Sequence, residues 1–131
     1  MEIQKRDHLD SSEWRDILKN FPEHRIYHTP EWFGVLMNTQ RARLRVYLFI
    51  NNNQIIGFLP GLIIKKRPFR IFASPFEGWY TPYIGLLLKN NEDIYECLVL
   101  LKKQLRKDYI HYAQMTPVFP FDIDRIKKMW L

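Results

Sequence analysis

Residues able to do chemistry gather in two stretches of this chain. The first, 74–83, sets Ser74, Glu77, Thr81 and the hydroxyls of Tyr80 and Tyr83 among stacking surfaces that include Trp79, with prolines at both ends. Glu77 is the candidate catalytic residue: it could position an amine or act as a general base if burial lifted its pKa toward working pH. Ser74, Trp79, Tyr80, Thr81 and Tyr83 are the candidate substrate contacts. The bland alternative is a rigid loop packed under its own aromatics, with Glu77 solvated. The second stretch holds the densest basic cluster, Lys65, Lys66, Arg67 and Arg70. It could hold phosphates by charge and by bidentate guanidinium bonds. Its alternative is a solvated turn whose lysines protect a sheet edge.

Other constellations do not form. His8, His24, His28 and His111 are dispersed, without the spacing of a zinc site, and no metal is predicted. His28 and His111 read as packing or surface residues. A nucleophile elbow, a phosphate loop and a dinucleotide fingerprint are all missing from the sequence. Cys97, the single cysteine, has no partner for a disulfide and lies beside an apolar stripe, which suits an inert thiol in a reducing compartment.

The elements that must position these residues follow from capping and periodicity. Asp10 and Glu13 have the spacing of a capping box, ahead of Trp14, Ile17, Leu18 and Phe21 at helical intervals, so the first helix is expected there. Thr29, Pro30 and Glu31 suit the cap, first and second positions of a second helix over 30–40, expected to be buried on several sides. From Arg43 the period becomes two: Leu44, Val46, Leu48 and Ile50 alternate with Arg43, Arg45, Tyr47 and Phe49. Asn51, Asn52 and Asn53 supply a turn into a second strand over 54–64, with a bulge or bend expected at Pro60 and Gly61. Short strands are expected over 69–73 and 83–88. Asn90 or Asn91 caps a third helix whose stripe is Ile94, Leu98, Leu101 and Leu105. A strand over 109–115 and a last helix near 122–131 complete the order.

A chain of 131 residues with 47% apolar and 15% aromatic content suits one folded α/β domain over residues 1–131. Its net charge of +6 bears on solubility and on steering of anionic partners. Residues 1–10 are polar, and the longest apolar run, 55–64, is about half of the ~20 residues a membrane helix needs. No transmembrane segment and a cytoplasmic location are therefore expected.

The order α, α, β, β, β, β, α, β, α resembles that of a GNAT acyltransferase unit, along essentially the whole chain. More locally, "YHTPEWF", "IIGFLPGLII" and "ASPFEGWYTPYIGLLL" resemble the amino-terminal half of Fem-like aminoacyl and acyl transferases, which are built from two such units. The resemblance implies a three-layer fold, with a mixed, mostly antiparallel central sheet flanked by helices. It implies transfer of an acyl or aminoacyl group to a small-molecule or peptide amine, with acyl-CoA or aminoacyl-tRNA as donor. In such proteins a segment like 74–83 lines the acceptor cleft, and a tRNA or a nucleotide-linked acceptor could dock on the basic cluster. One departure stands out. GNAT enzymes carry a glycine-rich turn whose N–H groups bind the cofactor pyrophosphate. Here that turn is Lys89, Asn90, Asn91, Glu92, Asp93: it has no glycine and carries two carboxylates. No cofactor is therefore expected on this chain alone, which would act as the acceptor-binding or scaffolding half beside a second GNAT-like unit. The rival expectation is a non-catalytic protein- or RNA-binding module that keeps a degenerate form of the fold.

Overall fold

The computed structural model describes residues 1–75, 81 and 84–116. They form a mixed α+β fold, an open and mostly antiparallel sheet with three helices. Strands β1 (Glu2–Arg6), β2 (Arg43–Asn51), β3 (Gln54–Lys66) and β4 (Phe69–Ser74) follow one another across the sheet, each antiparallel to the last. A two-residue strand, β5 (Leu87–Leu88), pairs with β3, and β6 (Tyr112–Met115) lies parallel to β4 on its far side.

β2 is buried from Leu44 to Phe49 and divides the interior into two cores. Its Leu44, Val46 and Leu48 pack with Trp14 and Ile17 of α1 (Ser11–Leu18) and with Phe33 and Leu36 of α2 (Pro30–Gln40). Its Tyr47 and Phe49 pack with Phe72 and with Leu98 and Leu101 of α3 (Ile94–Lys107). The period of two thus places a core on each face of the sheet.

β1 corrects the sequence reading, which gave residues 1–10 no element and began with a helix. It is an edge strand in register with β2 from Glu2 opposite Ile50 to Arg6 opposite Val46. Charged side chains are what an exposed edge carries, so hydropathy hid it. Arg6 also undoes the expected capping box: its Nη1 and Nη2 donate to Glu13 at 3.1 and 3.3 Å, while the Asp10 carboxylate meets His8 and makes no cap bond. A charge-assisted fork outcompetes the cap.

α2 starts as expected, with the Thr29 hydroxyl oxygen accepting the Trp32 N–H and Pro30 in the first turn. It is buried along one side only. Phe33 and Leu36 face the core, whereas Val35 is 51% exposed. Asn52 and Asn53 take left-handed φ values of 51° and 60° and close the β2–β3 hairpin as asparagines can.

The bulge expected at Pro60 and Gly61 lies elsewhere. Pro60 and Gly61 pair regularly with Val46 and Arg45, and the register slips where Phe49 faces Gly57 and Ile50 faces Ile55. Pro60 marks a different feature. Its carbonyl accepts the Ser74 hydroxyl at 2.5 Å, so its backbone, with the missing N–H, faces the β4 side. On that side β4 pairs with Leu62 to Lys66 and β5 with Gly57 and Phe58. β5 therefore resumes the line of β4 along β3 after a gap at the proline. Gly61 is required there, since a Cβ would come within 2.5 Å of the Phe72 ring and 2.8 Å of the Ala73 carbonyl. The strand expected over 83–88 reduces to β5; Tyr83 and the expected last helix lie outside the described residues.

Asn90 accepts the Glu92 N–H and heads a short 3-10 turn into α3, whose Ile94, Cys97, Leu98, Leu101 and Leu105 are buried. Burial pushes the Cys97 thiol up to about 12, so it stays protonated and unreactive. Tyr109 adopts φ 57° and the Ile110 N–H returns to the Leu105 carbonyl, which ends the helix and delays β6 to Tyr112 instead of residue 109.

Candidate functional site

The two candidate stretches lie at opposite ends of β4. Four residue steps of ~3.3 Å, roughly 13 Å, separate Arg70 from Ser74.

At the Ser74 end the polar groups are closed on one another. The Ser74 hydroxyl donates to Pro60 and accepts the Gly85 N–H at 3.0 Å, and its carbonyl accepts the N–H of Gly85 and of Thr116. Thr81 is buried and accepts the Trp32 indole N–H at 2.9 Å. Buried His28 accepts the Arg25 N–H at Nδ1 and donates from Nε2 to the Ile84 carbonyl at 2.7 Å, which fixes its tautomer. Desolvation lowers its pKa to about 4, against the weaker upward pull of those backbone bonds. Glu77, Trp79, Tyr80 and Tyr83 lie outside the described residues.

At the Arg70 end the polar groups are charged and open to a cleft of about 560 Å³. Lys65 and Arg70 are directly opposite on β3 and β4 and both line it. Arg43 joins them from β2: it faces Ile63, two residues from Lys65, which makes Arg43 and Lys65 diagonal neighbours. The predicted cluster is thus divided, because Lys66 and Arg67 do not line the cleft. Arg43 and Arg45 were missed as site residues. Their signal was the alternation of β2, which puts both on the Tyr47 face, but only the register brings them to Lys65 and Arg70.

Arg45 is engaged internally. Its Nε donates to Asp7 at 2.6 Å and its Nη1 to the Tyr47 hydroxyl and to Asp108. Asp108, just after α3, also receives the Tyr47 O–H at 3.0 Å, Lys5 Nζ at 3.1 Å and the Gln104 amide. Burial pushes the Asp108 carboxyl up, but the bonds from Lys5, Tyr47 and Gln104 prevail and hold it below the usual range. Burial likewise disfavours the Arg45 charge and is outweighed by Asp7 and Tyr47, while it pushes the Tyr47 phenol well above its ordinary value. The network therefore keeps fixed charges and ties β1, β2 and the end of α3 together.

Arg70 donates Nη1 to the Asp108 carbonyl at 2.7 Å, and its buried Nε has no acceptor among the described residues. Among the described residues, neither Arg43 nor Lys65 has a carboxylate within ion-pair distance.

Among the described residues, no helix is long and apolar enough to cross a membrane, and no group of three or more His, Cys, Asp or Glu could hold a metal ion. No protein-family model matches the chain, and comparison with curated proteins and with solved structures gives no significant match.

Proposed function

We propose that this chain is an acyltransferase-like domain of Fem-like or GNAT type, the acceptor-binding or scaffolding half of a cytoplasmic enzyme that transfers an acyl or aminoacyl group to an amine. The observation that carries the reading is the crossover from β4 through α3 to the parallel β6, set beside three antiparallel strands with α1 and α2 inserted after β1. As far as β6 the described elements are compatible with the order the resemblance implies, with β1 added at the start. The turn into α3 supports the division of labour, because Glu92 and Asp93 occupy its first positions and oppose a pyrophosphate there. The donor, acyl-CoA or aminoacyl-tRNA, then belongs to the complete enzyme with its second GNAT-like unit.

Incubation of the chain with acetyl-CoA and a lysine-containing peptide tests this. The reading expects no release of free thiol above background, together with saturable binding of the peptide; at ~100 times its Kd the peptide should stabilise the fold by about 2.7 kcal/mol, a melting shift of several degrees. Thiol release by the chain alone overturns the division of labour, and failure of the peptide to bind removes the acceptor role.

A further inference from the structure

We propose that the cleft bounded by Arg43, Lys65 and Arg70 is a binding site for a small phosphate-bearing molecule of nucleotide size. The site is independent of the acyltransferase reading and lies at the end of β4 away from Ser74.

Charge is the first argument. Four cations, Arg43, Arg45, Lys65 and Arg70, line the cleft with one carboxylate, Asp7. Asp7 is engaged by Arg45, and the nearby Asp108 by Lys5, Arg45 and Tyr47. Arg43 and Lys65 are left without a countercharge among the described residues. Like charges directly opposite on neighbouring strands destabilise a sheet, so the Lys65–Arg70 pair has a standing unfavourable term that an anion between them would reverse.

The second argument is the hydrogen-bond state of Arg70. The Asp108 carbonyl holds Nη1, and among the described residues the buried Nε is left without an acceptor. The Nε edge of a guanidinium is the fork that takes two oxygens of one phosphate. A buried N–H without a partner is costly, and a bound oxyanion that reached it would remove the cost.

Size and lining set the class of ligand. A cleft of about 560 Å³ falls in the range of small-molecule sites. Beside the cations the partly buried Met37 and Ala42 give it an apolar side, which a ring system would cover and a bare phosphate would not. The cations stand on three paired strands, a rigid base that holds their spacing.

Isothermal titration with ADP and with inorganic pyrophosphate tests the site in the wild type, in Arg43→Gln/Lys65→Gln, and in Lys103→Gln/Lys107→Gln, which removes equal charge from the exposed side of α3. All four side chains are exposed, so the fold should persist, as unchanged far-UV circular dichroism would verify. The expected result is saturable one-to-one binding, tighter for ADP than for pyrophosphate, weakened at least tenfold in the cleft variant and less than twofold in the α3 variant. Equal weakening in both variants would reveal only a diffuse positive field and overturn the site. No saturation in the wild type overturns it as well, as does a short single-stranded RNA that binds through Arg43 and Lys65 when ADP does not.

Discussion

The two ends of β4 treat polar groups in opposite ways. Among the described residues, those at the Ser74 end are neutral, buried and closed on one another: Ser74 with Pro60 and Gly85, Thr81 with Trp32, His28 with Arg25 and Ile84. At the Arg70 end they are ionic, and pairing is incomplete. Asp108 gathers Lys5, Arg45 and Tyr47, while among the described residues no carboxylate pairs with Arg43 or Lys65 at the cleft. The contrast teaches that buried polarity alone does not mark a site. A donor whose acceptor is already within the fold positions the chain, whereas one without an acceptor is available to a ligand.

The largest test of that contrast is Asp108→Ala. Arg45, its side chain 7% exposed, keeps Asp7 but loses its buried partner, and the Tyr47 hydroxyl loses its acceptor. Removing one member of a buried pair costs about 3 kcal/mol or more, which urea unfolding would report as a lower midpoint. A loss under about 1 kcal/mol would show that the ionic end contributes little to holding α3.

His28 sharpens the comparison through pH. Its folded pKa of about 4 lies below the ordinary 6.5, so the unfolded chain binds more protons between those values. Stability should be full above pH 6.5, fall as pH drops toward 4, and then level off at a deficit on the order of 3 kcal/mol. The Asp108 contribution behaves separately, being present above the ordinary 3.8 and lost below it. Urea unfolding at pH 7, 5.5 and 4.5 should give a steep profile for the wild type and a flat one for His28→Gln; parallel profiles would refute a buried neutral imidazole.

Ser74→Ala is the smallest change. The Gly85 N–H keeps the Ser74 carbonyl as an acceptor, so the loss should be about 1 kcal/mol by thermal unfolding. A loss as large as that of Asp108→Ala would erase the ranking of the two ends.

What the sequence revealed was local. Thr29 before Pro30, the asparagine turn, and Asn90 ahead of the Ile94 to Leu105 stripe each act within a few residues, and each element formed as read. What it concealed was either charged or remote. β1 carries an edge strand's charges, and Pro60, read as a bend, owes its place to Ser74, 14 residues on. Tyr47 meets Asp108 across 61 residues and His28 meets Ile84 across 56, separations at which periodicity carries no information. Half of the basic cluster reached the cleft because a hairpin makes Lys65 and Arg70 neighbours, whereas Arg43 needed the register of a third strand.

The interruption between β4 and β5 has an architectural consequence. A strand that stops at Ser74 and resumes its line at Leu87 encloses a length of chain whose two ends are clasped by the Ser74–Gly85 bonds. Inside that clasp Thr81 and Ile84 are themselves buried and engage Trp32 of α2 and His28 just before it. The interruption of the sheet is therefore also its fastening to the helical layer: the chain that leaves β4 at Ser74 ties down the α2 side before it returns to β3 as β5.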